Sequence, residues 1–450
     1  MQTNFSLAQL ADPKTAEAES ILRRCVHCGF CLATCPTYLE LGNELDSPRG
    51  RIYLIKDMLE NDKPASTEVV THIDRCLSCL SCMTTCPSGV DYMHLIDHAR
   101  VRIERTYRRP FGDKLVRGLL ARTLPYRRRF RLALRMARLA RPFVPMLRRF
   151  GRAGTRLDTM LRLAPESLPA KTSMRPGVSF TPEGKRCARV ALLHGCAQAV
   201  LDPGINIATV RLLSRFGVEV VFARGEGCCG SIVHHMGRER QARRLARPNI
   251  DAWIDEIDGE GLDAIITTTS GCGTTIKDYA HFFQRDRVYA RKAARVAALA
   301  LDVSEYLERL ALPPVKRGKD LIVAYHSACS LQHGQRVTAL PKALLKNAGF
   351  EVRDIPESHV CCGSAGTYNI LQTEIAERLR DRKVRNIESV APDVIATGNI
   401  GCITQIASGT IVPVMHTVEL LDWAYGDGEA DFLRRRPGAS QVRNGRRAPA

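Results

Sequence analysis

The chain has 450 residues, enough for two to four domains with cores of their own, and a formal net charge of +19. No run of 18 apolar residues occurs, which excludes a membrane-spanning helix on length. The charge is uneven: residues 102–162 carry 19 Lys/Arg against Glu104, Asp113 and Asp158, a net of +16, the last 20 residues add +5, and everything else nets −2, so the globular parts are nearly neutral.

Residues 1–14 show neither an apolar core nor a cleavage signature of a secretory leader, so the 17 cysteines are expected in a reducing compartment where thiols persist as ligands. Residues 14–24 read as a short helix with Ile21 and Leu22 as apolar contacts, leading into Cys25, Cys28, Cys31 and Cys35-Pro36. That is the C-x2-C-x2-C-x3-C-P run of bacterial ferredoxins, whose first three thiolates hold one face of a 4Fe–4S cube and whose fourth serves a second cluster. Each cysteine recurs 51 residues later, at Cys76, Cys79, Cys82 and Cys86-Pro87, so this is one device used twice. Structural zinc is satisfied by two Cys pairs and fits the spacing less well. Between the runs, Ser47-Pro48 reads as an N-cap with proline at the first helical position, and Ile52, Ile55 and Leu59, then Val69, Ile73 and Cys76, recur at helical spacing. A helical two-cluster ferredoxin domain over residues 14–100 is expected. One cluster takes Cys25, Cys28, Cys31 and Cys86, the other Cys76, Cys79, Cys82 and Cys35.

Residues 101–186 read as a basic helical connector. Within it, residues 127–141 form an amphipathic helix before Pro142, with Leu132, Met136, Leu139 and Phe143 as the apolar stripe beside Arg128, Arg131, Arg135 and Arg138. Such a helix either packs on its neighbour or docks on an acidic partner or an anionic lipid surface.

From Arg189 strand and helix alternate. A strand over 189–194 ends at Gly195-Cys196, a helix covers 205–216, and a strand over 218–223 leads to Gly227-Cys228-Cys229-Gly230. A helical stretch to about Ile257 follows, then a strand over 264–268 running into Gly271-Cys272-Gly273. The pattern repeats with strand 321–325 into Cys329, then Val360-Cys361-Cys362-Gly363, and strand 394–396 into Gly401-Cys402. The offsets are 133 for the first three cysteines and 130 for the last. Two homologous α/β modules, 187–315 and 316–426, with small parallel sheets and ligands past the carboxyl ends of strands, are the economical account. Four thiols converge in each: Cys196, Cys228, Cys229 and Cys272 in the first, Cys329, Cys361, Cys362 and Cys402 in the second. Adjacent cysteines are poor disulfide partners for each other, so metal or cluster ligation explains them better. Cys187 is left as a structural thiol, and residues 427–450 as a disordered basic tail. The fold class expected is α plus α/β.

The stretches from Cys25 to Lys56 and from Arg75 to Val90, with the paired CCG modules, resemble the iron–sulfur subunit of glycolate oxidase, also called glycolate dehydrogenase, over about residues 14–426. Heterodisulfide reductase subunits and the iron–sulfur subunit of anaerobic glycerol-3-phosphate dehydrogenase are more distant relatives with similar parts. The segment Ser47-Pro48-Arg49-Gly50-Arg51-Ile52, with Tyr53 and Leu54, favours the glycolate enzyme. The modules of heterodisulfide reductases end in C-x-x-C, whereas this chain has Cys272-Gly273-Thr274-Thr275 and Cys402-Ile403-Thr404-Gln405. A five-thiolate cluster is therefore doubtful, and a four-ligand cluster, a zinc ion and an empty thiol pocket stay open. The resemblance implies a cytoplasmic electron-transfer subunit, peripheral at the inner face of the cell membrane. Its partners would be FAD-containing glycolate oxidase subunits and its acceptor a quinone or other membrane carrier. No G-x-G-x-x-G opens a helix after a strand and no P-loop occurs, so the hydride acceptor is expected on a partner, with no catalytic residue here and no nucleic-acid role. The alternatives are a thiol-disulfide reductase, or the equivalent subunit of a lactate or glycerol-3-phosphate dehydrogenase.

Overall fold

The computed structural model describes residues 1–140, 158–165, 167–170, 172–315, 317–318, 320–426 and 428. Helix starts in the amino-terminal domain are fixed by side-chain caps: Asp12 accepts from Thr15 N, Ser47 from Gly50 N, Ser66 from Val69 N and Asp91 from His94 N. These open the helices Pro13–Arg24, Pro48–Glu60, Thr67–Asp74 and Tyr92–Thr106. Their inward faces (Leu22, Ile52, Ile55, Ile73, Leu95, Ala99 and Ile103 among them) make one apolar core that also touches Cys25, Cys76 and Cys82. No strand interrupts this domain among its described residues.

Two sheets follow. The first has order β1-β3-β2-β4-β5, from β1 (Val178–Phe180), β2 (Ala188–Leu192), β3 (Val218–Phe222), β4 (Ala264–Thr267) and β5 (Ala300–Asp302). The second has order β7-β6-β8-β9, from β6 (Ile322–Tyr325), β7 (Glu351–Asp354), β8 (Val394–Thr397) and β9 (Val414–His416). All pairings are parallel except β1 with β3, where Ser179 faces Val221. The stretch read as connector thus contributes an antiparallel edge strand, an arrangement parallel crossovers alone do not supply.

The two sheets share a core. Val190, Leu192, Val218, Val220 and Phe222 pack in the same apolar cluster as Val323, Tyr325, Val394 and Ala396, bridged by Leu212, Leu213, Leu344, Leu345, Leu420 and Leu421 from the covering helices. Arg211 and Arg215, from the helix Gly204–Arg215, both pair with Asp422 of the helix Thr417–Tyr425, across the two modules.

The helix Arg127–Ala140 turns a different apolar row inward. Phe130 and Leu134 are the buried residues, packed with Ala164 and Val200, while Leu132, Met136 and Leu139 are 58–70 % exposed. The expected apolar stripe is the outward face, because the first module offers its apolar surface to the other row. Phe143, Pro142, Arg141 and the tail from 429 lie outside the described residues.

Candidate metal centres

The two ferredoxin runs adopt the same local path. His27 and Gly29 in the first, Ser78 and Leu80 in the second, are all left-handed (φ 55°, 85°, 52° and 63°), at positions again 51 apart. A loop with alternate left-handed residues turns successive thiols toward one centre, and the short helical turns Phe30–Leu32 and Ser81–Thr85 carry the third cysteine of each run. Cys35 then caps the helix Pro36–Leu41, and Cys86 ends the turn Ser81–Thr85 ahead of Pro87.

The fourth cysteine of each run leaves its own loop. Cys86 lines a cavity with Cys25, Cys28 and Cys31, closed by Pro87, Val90, Tyr92 and Ile52, with Cys82 also on its wall. Cys79 and Cys82 each lie within electrostatic reach of both Cys35 and Cys76. Burial pushes the Cys79 and Cys82 thiols well above the usual range, and the neighbouring sulfurs push further. At Cys76 burial acts the same way but is overcome by the guanidiniums of Arg51 and Arg100, which pull the thiol down. All 17 cysteines are free. Converging sulfur donors, five of the eight buried, fit a polycationic centre, which lets so many thiolates coexist largely away from water.

Hydrogen-bond donors surround the second set. Ser78 N reaches Cys76 Sγ at 3.4 Å, Tyr92 Oη reaches it at 3.7 Å, and the Thr37 hydroxyl sits 3.3 Å from Cys35 Sγ. Arg51 is the residue that sequence reasoning missed here. Only 1 % exposed, it donates from Nε to His72 O (2.7 Å), from Nη2 to Thr37 Oγ1 (2.9 Å) and from Nη1 toward Cys35 Sγ (3.9 Å). Its counterion Asp46, fully buried, also meets Arg75 at 2.8 Å and His72 Nδ1 at 2.9 Å.

In the α/β modules the thiols form two chains of sulfur contacts. Cys196 touches Cys228, which touches Cys229, which touches Cys272. Cys329 Sγ lies 3.7 Å from Cys361 Sγ, and the contacts continue through Cys362 to Cys402. Cys272 and Cys402 stand on the first turns of the helices Ser270–Lys277 and Ile400–Ala407, not in the loops before them. The glycine of each Cys-Cys-Gly has a backbone reason. Gly230 and Gly363 have φ near +90°, and a Cβ there would stand 2.8 Å from Ala242 O and 2.4 Å from Ala376 O. Cys187 is exposed and hydrogen-bonds to Phe216 O and Gly217 O, away from both chains.

The basic connector takes part in the first module. Arg127 meets His194 Nδ1 and lies 3.4 Å from Gly195 O, beside Cys196. Burial, then the Arg127 charge, push His194 down to about 4, while burial raises Glu226 to about 8 as it accepts from His194 N at 2.8 Å.

The thiol sites are not isolated. Cys79 packs with Leu77, Val360, Cys361 and Tyr368 in a buried cluster that Cys329 borders, so the second ferredoxin run sits against the second module. Tyr368 Oη donates to Arg75 O at 3.0 Å, and Thr84 Oγ1 meets His333 Nδ1 at 2.8 Å across the same boundary. Ser270 and Ser330 join the two modules at 2.7 Å, one residue or two from Cys272 and Cys329.

This architecture is that of a two-cluster iron–sulfur protein with a tandem cysteine-rich region. The description 4Fe-4S dicluster domain matches residues 21–90, and Cysteine-rich domain matches residues 190–277 and 323–407. Over 94 % of its length the chain is 40 % identical to the glycolate oxidase iron-sulfur subunit of Escherichia coli (strain K12), covering 99 % of that protein. It is 31 % identical to a probable glycolate oxidase iron-sulfur subunit of Bacillus subtilis (strain 168), with 91 % and 94 % covered. Lactate utilization protein A of Bacillus licheniformis matches 52 % of the chain and 99 % of its own length at 28 % identity. The chain belongs to the family of glycolate oxidase iron–sulfur subunits, and carries 4Fe–4S clusters as that family's dicluster domain does.

Proposed function

We propose that this chain is the electron-transfer subunit of a glycolate-oxidising complex. Oxidation of glycolate to glyoxylate releases two electrons and two protons, and an FAD-containing partner subunit accepts them as a hydride and a proton. The clusters, when bound, supply one-electron transfer at potentials set by ligation, hydrogen bonds to sulfur and exposure. Cys25, Cys28, Cys31 and Cys86 would hold one, and Cys76, Cys79, Cys82 and Cys35 the other. The thiols of the two modules, Cys196, Cys228, Cys229 and Cys272, and Cys329, Cys361, Cys362 and Cys402, would hold further metal. The corresponding units are 14–100 for the ferredoxin domain, 101–186 for the connector and 187–315 and 316–426 for the modules.

The observation that carries this reading is the crossing of the two ferredoxin runs, with Cys86 in the cavity of Cys25, Cys28 and Cys31 while Cys35 lies beside Cys79 and Cys82, so that the two thiol sets stand next to each other. Arg51 and the Thr37 hydroxyl hold Cys35, and the Tyr92 hydroxyl holds Cys76, while Leu77, Val360 and Tyr368 pack around Cys79 and keep water out. Delivery to a quinone at the inner face of the membrane fits the surface. Phe111, Leu115 and Leu119 on the helix Phe111–Thr123, and Leu132, Met136 and Leu139 on the helix Arg127–Ala140, are exposed among arginines. No helix among the described residues is long and apolar enough to cross a membrane.

The test uses the complex with its flavin-containing partner. Cys79→Ser is expected to leave flavin bleaching by glycolate intact and to slow reduction of a quinone or dye at least tenfold. Loss of flavin bleaching in an assembled complex, or glycolate oxidation by the isolated chain, would overturn the assignment.

A further inference from the structure

The two modules are not equivalent as metal sites, and the difference lies in one histidine. His326 directly follows β6, and its backbone N–H donates to Ala396 O of β8 at 2.8 Å, so the ladder fixes where its side chain starts. The imidazole is only 2 % exposed, and neither Nδ1 nor Nε2 has a hydrogen-bond partner. A buried imidazole with two unpaired nitrogens is rare, because each lost its water on burial and gained nothing in exchange. What it faces is sulfur. One nitrogen of His326 and the Sγ atoms of Cys362 and Cys402 all lie within 4.8 Å of one another, and all three residues are buried. Asn399 Nδ2 stands 3.5 Å from Cys402 Sγ, a donor of the kind that orients a metal-bound thiolate from outside.

Spacing separates this site from the ferredoxin cubes. Ligands of a single tetrahedral ion with Zn–S of about 2.3 Å stand roughly 3.5–4 Å apart. Thiolates on separate irons of a cube stand wider. Among the described residues no three of the eight ferredoxin cysteines meet the 4.8 Å limit, whereas His326, Cys362 and Cys402 do. The first module has no counterpart: the offset of 133 puts Leu193 at the place of His326, and its backbone N–H likewise donates to the neighbouring strand, to Ile266 O of β4 at 3.0 Å. The other close group, Glu17, His94 and His281, has His94 hydrogen-bonded on both nitrogens, to Asp91 at 2.6 Å and Asp278 at 2.9 Å, and so lacks the unpaired donor.

We propose that His326, Cys362 and Cys402 form a mixed nitrogen–sulfur site for one divalent ion of the zinc class in the second module, with a fourth position filled by water or by the Cys361 thiolate beside Cys362. The inference rests on reading the modules as metal-binding, and not on the direction of electron flow. An imidazole with two thiolates is a borderline-soft donor set suited to zinc, and it explains how a module without a terminal C-x-x-C completes its coordination.

The test is metal analysis of the full chain purified without oxygen, with zinc-edge X-ray absorption. About one zinc per chain, beside the iron of two cubes, about eight atoms, and a zinc shell containing both sulfur and nitrogen are expected. His326→Ala should retain at least tenfold less zinc after dialysis against a chelator, with iron and the cluster spectrum unchanged. His326→Cys should keep zinc and convert the shell to sulfur alone. Absence of zinc from the wild-type chain, iron well above eight with the second module's cysteines protected from alkylation, or an unchanged zinc shell in His326→Ala would each overturn the proposal. If His326→Ala also loses iron, it has failed to fold, and the wild-type shell and His326→Cys decide. Failure of the relay reading registers elsewhere, as missing cube iron or an inert Cys79→Ser, and leaves the zinc measurement standing.

Discussion

Arg51 is the residue whose removal tells most. Arg51→Met replaces a fully buried guanidinium by an apolar chain of similar length. It strips the donor from His72 O and Thr37 Oγ1, removes one of two guanidiniums from buried Asp46, and withdraws a positive charge 3.9 Å from Cys35 Sγ. Removing one partner of a buried ion pair costs about 3–5 kcal/mol, and because Asp46 keeps Arg75 and His72 the low end applies, about 3 kcal/mol. The electrostatic effect on the thiolates is separate. A unit charge at 3.9 Å in an effective dielectric of about 20 is worth about 4 kcal/mol. Spreading the negative charge over a cube roughly halves that, to about 2 kcal/mol or ~80 mV for one electron. The cluster proposed for Cys35, Cys76, Cys79 and Cys82 should therefore titrate ~80 mV lower in Arg51→Met, and far less displaced in Arg51→Lys, which keeps the charge. Redox titration followed by electron paramagnetic resonance reads both clusters at once. Both potentials within ~20 mV of wild type in a folded Arg51→Met protein would refute the reasoning.

Two further outcomes follow from the same geometry. Cys86→Ser should weaken the cluster whose other thiols are Cys25, Cys28 and Cys31, since Cys86 lines their cavity; loss of the signal belonging to Cys76, Cys79 and Cys82 instead would contradict the crossing. The second concerns pH at the contact between the helix Tyr92–Thr106 and the first module. Burial alone would lower His94, but hydrogen bonds to Asp278 and Asp91 raise it from 6.5 to about 10. A raised pKa means a contribution complete below pH 6.5 and lost as pH rises through 10, at most about 5 kcal/mol. Hydrogen exchange of residues 92–106 should accelerate between pH 7 and 10, after correction for the intrinsic rate, in the wild type and not in His94→Gln; equal pH dependence in both would dispose of the idea.

The cysteine runs were legible because ligation demands residue types at fixed spacing, whatever the tertiary context. The interior strands β2, β3, β4, β6 and β8 were legible too, as short apolar runs between turns. The edge strands β1, β5, β7 and β9 were not. Each is three or four residues long and exists only through pairing with a neighbour distant in sequence, as Ser179 with Val221. The helix Arg127–Ala140 shows a different limit. Its sequence offers two apolar rows, one through Phe130, Leu134 and Ala137 and one through Leu132, Met136 and Leu139, and periodicity cannot rank them. Val200 and Ala164 decide, and they are contributed by other elements. Arg51 was visible only as part of a helix start, since its burial depends on Asp46 five residues earlier and His72 in the next helix. His326 stands one residue past its strand, where the first module has Leu193, and nothing near it in the sequence shows that Cys362 and Cys402 come to lie beside its ring.

The shared core of the two modules bears on how the thiol sites keep their places. Had each module been an independent domain on a flexible tether, the distance between their cysteine chains would fluctuate with the linker. Instead Val190 and Val220 of one sheet and Val323 and Val394 of the other are buried in one cluster, and the last helix of the second module is clamped by Arg211 and Arg215 of the first. The Ser270–Ser330 contact then joins the two sites within two residues of Cys272 and Cys329. Relative motion of the sites would require opening that core, which exposes apolar side chains at about 25 cal/mol per Å². Such rigidity keeps the ligands of each metal site at fixed separations. What is left for evolution to adjust is local: a buried charge such as Arg51, a hydroxyl such as that of Tyr92, or a ligand such as His326.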